Sequence, residues 1–216
     1  MAYTLYNYFR SSSSYRVRIA LNLKGLDYDH VSVHLNRNGG EQFGDGFRAL
    51  SPDAVVPVLA TGGQHMVQST AIIEWLEETH PAPALLPETA DERAWVRGMC
   101  ATVACEIHPL NNLRVLKYLT GTMGLSEEQK AEWARHWCEE GLAALEAMLA
   151  QRAHPGVFCH ADAPGMADVF LVPQVFNAQR FGVEVSRFPL ISGIVERCNQ
   201  LDAFSAAHPS QQPDAE

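Results

Sequence analysis

The stretch that decides the fold is Ser-Ser-Ser-Ser-Tyr-Arg-Val-Arg-Ile-Ala-Leu, residues 11–21. A strand-like run, residues 3–8, leads into it, and residues 13–24 have the apolar spacing of a helix that stops at Gly25. The serines therefore lie where a strand gives way to the start of a helix. Backbone N–H groups are unpaired at such a point and the helix dipole is positive, so an anion is favoured there. A thiolate is one such anion, and its pKa falls in this setting.

The composition is that of a globular protein. The chain has 216 residues, enough for one large domain or two small ones, and a formal net charge of −9, which argues against a nucleic-acid-binding surface. No stretch has the pattern of an export signal, and no apolar run is long enough to cross a bilayer. We therefore predict a cytoplasmic protein that binds neither nucleic acid nor membrane.

The cysteines indicate a reducing environment. Their number is odd and no pair has the C-x-x-C spacing, which favours reduced, mostly buried thiols over a disulfide framework. Cys100 and His108 lie about two helical turns apart, too far to share one ion, so no metal site is predicted.

Two kinds of pattern follow one another along the chain. Up to residue 80, strand signals alternate with helix signals, at residues 3–8, 13–24, 28–35, 57–60, 65–68 and 69–79. A proline-rich stretch, residues 80–87, interrupts them. Beyond it only helices are predicted, at residues 90–108, 126–152, 165–180 and 189–201. We predict an α/β domain over residues 1–82, then an all-α domain over 88–212, with a frayed polar tail from residue 205.

Residues 11–21 resemble the signature of zeta-class glutathione transferases, in which Ser-Ser-Cys precedes an aromatic residue and Arg-Val-Arg-Ile-Ala-Leu. The resemblance covers nearly the whole chain and includes residues 22–25, 56–57, 68–69, 71–74, 85–87, 108–114 and 167–175. The chain departs from the family pattern at Ser13, where the family has cysteine. It also departs at Gly165, where the fold usually has a capping hydroxyl three residues before the buried, structural Asp168.

The resemblance implies both an architecture and an activity. The architecture is a thioredoxin-like, glutathione-binding domain followed by an all-helical, substrate-binding domain, assembled as a homodimer. The activity is glutathione-dependent cis–trans isomerisation of maleylacetoacetate to fumarylacetoacetate, in tyrosine and phenylalanine breakdown. Three alternatives stay open: maleylpyruvate isomerisation in gentisate breakdown, general glutathione transfer, and a non-catalytic role in protein assembly.

The resemblance implies that the early serines hold the glutathione sulfur. Ser11 would donate a hydrogen bond to the thiolate, Ser12 is the second candidate, and Ser13 could share the role. Judged from the sequence alone, an ordinary helix cap is the better explanation of Ser11, because serine is common at helix starts, and the resemblance reverses that order.

Five more residues of the first domain are implied to bind glutathione. Val56-Pro57 resembles the cis-proline that turns its backbone toward the bound peptide, although an ordinary trans proline is the alternative. Gln68 and Ser69 would hold the γ-glutamyl carboxylate at a helix N-terminus, where Ser69 also fits a plain cap. Gln42 would contact the glycyl end, and its alternative is a solvated loop glutamine.

Substrates of this family carry two carboxylates, which arginine binds with a planar, two-pronged set of donors. The resemblance implies that Arg10, Arg114 and Arg180 bind them, with Arg10 also beside the thiolate as a catalytic residue. Three separate surface arginines are the alternative. His108 and Asn112, four residues apart on one predicted helix face, would contact glutathione or the substrate, although a helix end followed by an asparagine cap explains them equally well.

Overall fold

The computed structural model describes residues 2–152 and 156–216. The chain forms two compact units, of which the first is Met1–Leu85 together with Gln200–Glu216 and the second is Leu86–Asn199. The predicted fold class, a thioredoxin-like α/β part followed by a helical part, is confirmed. The boundary differs at one place: residues 200–212, assigned from sequence to the helical domain, pack with the first unit.

The helices and strands are close to the predicted ones in the first 80 residues. In chain order they are β1 (Tyr3–Asn7), α1 (Ser12–Leu23), β2 (Tyr28–Ser32), α2 (Asp45–Arg48), β3 (Val58–Thr61), β4 (Gln64–Val67), α3 (Ser69–Thr79), α4 (Ala90–Ala101), α5 (Leu113–Gly121), α6 (Glu127–Ala150), α7 (Met166–Arg180), α8 (Pro189–Asn199) and α9 (Asp202–Ser205). Short 3₁₀ turns lie at Arg37–Gly39, Glu41–Phe43, His108–Asn111, Val185–Arg187 and Pro209–Gln211.

A mixed sheet forms the centre of the first unit. Within residues 2–85 its strand order is β2-β1-β3-β4, with β1 parallel to β2 and antiparallel to β3, and β3 antiparallel to β4. Leu5, Val58 and Leu59 have no exposed surface, so apolar burial holds the central strands. The predicted hairpin between β3 and β4 is present, and its turn contains Gly62 and Gly63 at left-handed φ values of 56° and 82°.

The C-terminal tail is ordered against α1, so the prediction of a frayed end is wrong. Arg18 Nε donates to the Ala207 carbonyl at 3.0 Å, and Asn22 Nδ2 donates to the Ala203 carbonyl at 2.9 Å. Phe204 and Ala207 have no exposed surface. The buried Arg18 and the half-buried Asn22 of α1 therefore find acceptors in residues 203–207, a pairing that no local pattern in that segment reveals.

The second unit differs from the sequence prediction around residues 102–121. The predicted helix 90–108 ends as α4 at Ala101 and continues as a π-helical turn, Thr102–Ile107. A separate helix, α5, was not predicted. It begins after Asn112, whose side chain caps it by accepting the Arg114 N–H at 3.1 Å. In the part of the chain that the structure describes, no helix is both long and apolar enough to cross a membrane.

Asp168 has the structural role that the sequence indicates. It is 1 % exposed, and its carboxylate accepts the backbone N–H groups of Cys159 at 2.9 Å and Gly165 at 2.8 Å. Burial raises its pKa, while these hydrogen bonds act in the opposite direction. The carboxylate thus supplies its half of the capping box at α7, and the half that a hydroxyl at Gly165 would supply is missing, as predicted.

The predicted state of the thiols is also confirmed. All five cysteines are free, Cys105 is exposed and the other four are buried. Burial raises the pKa of the Cys138 thiol to about 12, which keeps it protonated and unreactive at neutral pH.

Lys24 binds the segment that follows α3, near the end of residues 1–85 of the first unit. Its side chain has no exposed surface, pairs with the buried Glu77, and donates to the carbonyls of His80 at 2.7 Å and Pro83 at 2.6 Å. Glu77 also accepts the Leu85 N–H at 3.0 Å.

We predict that Lys24→Met lowers the free energy of unfolding by about 3–5 kcal/mol, because it leaves the Glu77 carboxylate buried without its cation. The double variant Lys24→Met, Glu77→Leu should recover a large part of that loss. Urea unfolding followed by far-UV circular dichroism measures both, and a single variant as stable as the wild type would contradict this prediction.

Gly141 in the middle of α6 makes room for Ile107. A Cβ atom on Gly141 would lie 2.2 Å from Ile107 Cγ1. Ile107 is fully buried, so its side chain cannot move aside into solvent.

We predict that Gly141→Ala destabilises the protein by about 1–3 kcal/mol through overpacking, although alanine is the better helix former. Gly98→Ala in α4 is the matched control, because its Cβ would meet only Met148 Cε at 3.9 Å. The control should be neutral or more stable in the same unfolding assay, and equal effects of the two variants would contradict the packing explanation.

Candidate active site

The sheet register brings the predicted glutathione-binding residues of the first unit to one end of the sheet. Tyr6 of β1 pairs with Val31 of β2 and with Val58 of β3, which in turn pairs with Val67 of β4. Beyond these positions lie the start of α1, the Val56-Pro57 peptide and the start of α3, as well as the segment after β2 that contains Gln42. Residues far apart in sequence therefore converge on one edge of the sheet, where the helices α1 and α3 begin.

Ser11 is the N-cap of α1. Its Oγ accepts the Ser14 N–H at 3.2 Å, and its own N–H donates to the Tyr8 carbonyl at 3.0 Å. Capping uses a lone pair of the hydroxyl and leaves its proton available to a ligand anion. The cap and the predicted thiolate donor are therefore compatible in one side chain.

Ser12 and Ser13 follow in the first turn of α1. Ser12 is 5 % exposed, and none of the hydrogen bonds among the described residues uses its hydroxyl. Ser13 is half-buried. Ser12 is thus a second buried donor at the positive end of the helix dipole.

Arg10 is oriented by the aromatic residues before it. Its Nη2 donates to the Tyr8 hydroxyl at 2.9 Å, and its guanidinium carbon lies 5.1 Å from the centre of the Phe9 ring. The Nη1 group forms no hydrogen bond with the described residues, so it can donate to a carboxylate. Sequence reasoning missed Tyr8, whose role depends on this contact.

Arg18 of α1 stabilises the turn between β1 and α1 by hydrogen bonds to Asn7 and Phe9. It has no exposed surface and donates to Asn7 Oδ1 and to the Phe9 carbonyl, both at 2.9 Å. Burial lowers its pKa to about 10, so it stays charged at neutral pH. The sequence indicated only that this arginine belongs to the signature, because an arginine on a helix is ordinarily exposed.

The start of α3 carries a second concentration of positive charge. The buried Ser69 Oγ accepts from Arg16 Nη1 at 3.4 Å, and Arg16 is itself 1 % exposed. Gln68, the preceding residue, has a left-handed φ of 70°, and its Nε2 donates to Asp53 Oδ2 at 3.1 Å. A left-handed non-glycine residue is disfavoured and is often found at binding sites. The helix N-terminus and the buried arginine together fit a carboxylate, and sequence reasoning missed Arg16.

The remaining residues of this unit are buried. The Val56–Pro57 peptide is cis, as expected, and both residues are buried. Gln42 is 5 % exposed, so its alternative interpretation as a solvated loop glutamine is wrong. Its Oε1 has no partner among the described residues, and its Nε2 lies 3.5 Å from the Leu35 carbonyl. The amide oxygen is therefore free to accept a hydrogen bond.

His108 and Asn112 do not share a helix face, so that prediction is wrong. His108 begins the 3₁₀ turn His108–Asn111, and Asn112 has the extended backbone of a cap, with ψ of 142°. The sequence around Pro109 breaks the helix between them. Capping, the alternative interpretation of Asn112, is what the structure shows.

Arg114 and Arg180 are exposed and flank one apolar cluster of the second unit. Arg114 lies in the first turn of α5 and Arg180 is the last residue of α7. Their chain neighbours Val115 and Phe181 both pack against the cluster formed by Leu116, Leu119 and Ala134. Arg114 and Arg180 thus each adjoin, along the chain, a residue of the same cluster.

Comparison with known proteins shows which family the chain resembles. Residues 5–84 match the family model described as "Glutathione S-transferase, N-terminal domain". The chain is 47 % identical over 215 residues to a probable maleylacetoacetate isomerase of Vibrio cholerae, covering 100 % of this chain and 99 % of that protein.

Two solved structures extend the likeness to three dimensions. A maleyl pyruvate isomerase, described as a bacterial zeta-class glutathione transferase, has a TM-score of 0.96 and 48 % identity, covering 99 % of this chain and 100 % of that one. A maleylacetoacetate isomerase of Methylobacterium extorquens AM1 with bound malonate and glutathione has a TM-score of 0.94 and 39 % identity, covering 99 % of each chain. Because identity of this degree extends over the full length and both units, the chain belongs to the zeta class of glutathione transferases.

Proposed function

We propose that this protein is a glutathione-dependent cis–trans isomerase that converts maleylacetoacetate to fumarylacetoacetate in tyrosine and phenylalanine breakdown. The observation that carries the proposal is the convergence of Ser11, Ser12 and the start of α3 at one sheet edge, where we place the tripeptide thiol. The relatives from Vibrio cholerae and Methylobacterium extorquens support the activity, and the second of them binds glutathione together with malonate, a dicarboxylate.

Glutathione fits the charges of this edge. Its γ-glutamyl carboxylate would lie at the N-terminus of α3, near Ser69 and Arg16, while Gln42 Oε1 would accept the N–H of the glycyl residue. The Val56 backbone would meet the peptide between them. The family resemblance adds His108 and Asn112 as further contacts, with Asn112 acting chiefly as a cap.

The sulfur would lie at the N-terminus of α1, near the hydroxyls of Ser11 and Ser12, with Ser13 as a third candidate donor. Lowering a thiol pKa by about two units from about 8.5 needs roughly 2.7 kcal/mol. The helix dipole supplies about 0.3–1 kcal/mol, and a hydrogen bond to a charged group about 1.5–3 kcal/mol. One serine and the dipole together supply about 1.8–4 kcal/mol, a range that includes the required free energy.

When bound, glutathione supplies a thiolate that adds reversibly to the cis double bond and leaves after rotation about the resulting single bond. The serine hydroxyls keep the sulfur ionised and release it without giving it a proton. Arg10 would stabilise the negative charge that develops on the substrate's ketone oxygen, through its Nη1 donors. Arg114 and Arg180 would bind the substrate carboxylates and keep them fixed while the central bond rotates.

We further propose a cytoplasmic homodimer, on the strength of the family resemblance. The odd number of cysteines without C-x-x-C spacing supports a reducing compartment, and the family resemblance supports the dimer.

Maleylpyruvate isomerisation is the second candidate. The maleyl pyruvate isomerase with a TM-score of 0.96 favours it, since that substrate is a shorter diacid with the same cis double bond. Parallel assays with maleylacetone, maleylpyruvate and chlorodinitrobenzene separate the two isomerases from a general transferase. Conversion of chlorodinitrobenzene alone, or failure to bind immobilised glutathione, would contradict the proposal.

We predict that Ser11→Ala lowers kcat/KM for maleylacetone about 100-fold, as expected when a donor to a developing or resident anion is removed. The loss of the cap should cost only about 1 kcal/mol of stability. Ser126→Ala is the matched control, because Ser126 caps α6 in the same manner, with Oγ accepting the Gln129 N–H at 3.2 Å. A near wild-type kcat/KM for Ser11→Ala would contradict the role of Ser11 as the thiolate donor. Alanine variants of Ser12 and Ser13 would then show which of them is the donor.

We predict that Arg180→Met and Arg114→Met each raise KM for the diacid about tenfold or more, because a charged hydrogen bond to a carboxylate is worth about 1.5–3 kcal/mol. The dissociation constant of glutathione should stay unchanged. Arg187→Met is the control, since this exposed arginine of the same unit pairs with Glu139 at 3.3 Å. Equal kinetics for all three variants would remove Arg114 and Arg180 from substrate binding.

A further inference from the structure

The backbone of Phe9 is held from both sides just before the active-site residues. Its carbonyl accepts from Arg18 Nη2 at 2.9 Å, and its N–H donates to Asp214 Oδ2 at 3.1 Å. Phe9 is 3 % exposed, so neither group has water as an easy replacement partner. Arg10 and Ser11 follow directly in the chain, and their position depends on how this peptide is held.

The carboxylate of Asp214 is itself firmly placed. Its side chain is 11 % exposed, and besides the Phe9 N–H it accepts from Ser32 Oγ at 2.9 Å and lies 3.0 Å from His30 Nε2. His30 Nδ1 in turn lies 3.4 Å from Asn7 Nδ2, and Asn7 accepts from Arg18. Asp214 therefore closes a ring of contacts around the end of β1.

The rest of the tail brings Asp214 to this place. Gln212 is 8 % exposed, and its Nε2 donates to the carbonyls of Ala206 at 2.9 Å and His208 at 3.0 Å. The Ala207 carbonyl is held by Arg18, and the Ala215 N–H donates to the Gln212 carbonyl at 3.0 Å. Residues 206–215 thus form a compact turn with its own hydrogen bonds, anchored on α1.

We propose that Asp214 is a positioning residue of the active site, whose carboxylate fixes the Phe9 peptide and thereby places Arg10 and Ser11 for the glutathione sulfur. This inference rests on the proposed role of Ser11. Removing the carboxylate leaves a buried N–H without an acceptor, and the segment between β1 and α1 relaxes to find another. Because a displacement of about 1 Å costs on the order of 100-fold in rate, a small relaxation is sufficient to disturb the site.

The test compares Asp214→Ala and Asp214→Asn with Glu216→Gln. The amide of the Asp214→Asn variant would keep an oxygen for the Phe9 N–H, whereas Glu216 belongs to the same tail but contacts Arg37 and His34 rather than Phe9. The pKa of enzyme-bound glutathione is measured from thiolate absorbance near 240 nm as a function of pH. Backbone exchange of residues 8–11 is measured by hydrogen–deuterium exchange without ligand.

In Asp214→Ala we expect the bound thiol pKa to rise by about one unit, which lowers the thiolate fraction at pH 7 about threefold if the wild-type pKa is about 6.5. The loss in kcat should shrink at high pH, where the thiol ionises without help, and exchange at Phe9 should accelerate at least tenfold. Asp214→Asn should lie close to the wild type, and Glu216→Gln should match it.

An unchanged thiol pKa in Asp214→Ala would overturn the inference, as would a loss of activity that only follows the unfolded fraction and is equal at all pH values. The thiol and exchange measurements do not depend on isomerisation. An enzyme that binds glutathione but isomerises no diacid would therefore contradict the proposed function while leaving this test decisive.

Discussion

Arg18 carries a positive charge on a side chain with no exposed surface, and the first unit is arranged to satisfy it. A buried charge without partners costs several kcal/mol, so its acceptors must be in place whenever the protein is folded. Those acceptors are the Asn7 side chain at the end of β1, the Phe9 carbonyl before α1 and the Ala207 carbonyl in the tail. One guanidinium thus joins three segments, two of which lie about 200 residues apart in the chain.

The active-site chemistry proposed above depends on this arrangement. A helix N-terminus favours an anion only if its first residues are correctly placed, and the turn that places Ser11 is the one that Arg18 holds. Arg10 and Arg16 add local positive charge at the same edge of the sheet, although the whole chain has a net charge of −9. The site is thus electropositive because two arginines and the helix N-terminus lie there, although the chain as a whole is acidic.

Local patterns predicted much of the first unit. The strand and helix boundaries up to Thr79, the stop at Gly25 and the cap at Ser11 follow from residue types within a few positions of each other. What failed depends on contacts between distant residues or on competing local signals. The tail was expected to fray because its own composition does not show that it supplies an acceptor to Arg18. His108 and Asn112 do not share a helix face because the helix is interrupted at Pro109 and Asn112 is the N-cap of α5.

The central claim is that the start of α1 holds the sulfur of glutathione as a thiolate. A crystal structure of this protein with glutathione bound tests it most directly. The account predicts the sulfur within hydrogen-bonding distance of the Ser11 or Ser12 hydroxyl, with the γ-glutamyl carboxylate at the N-terminus of α3. A sulfur that points away from residues 11–13, beyond the reach of every hydroxyl there, would contradict it.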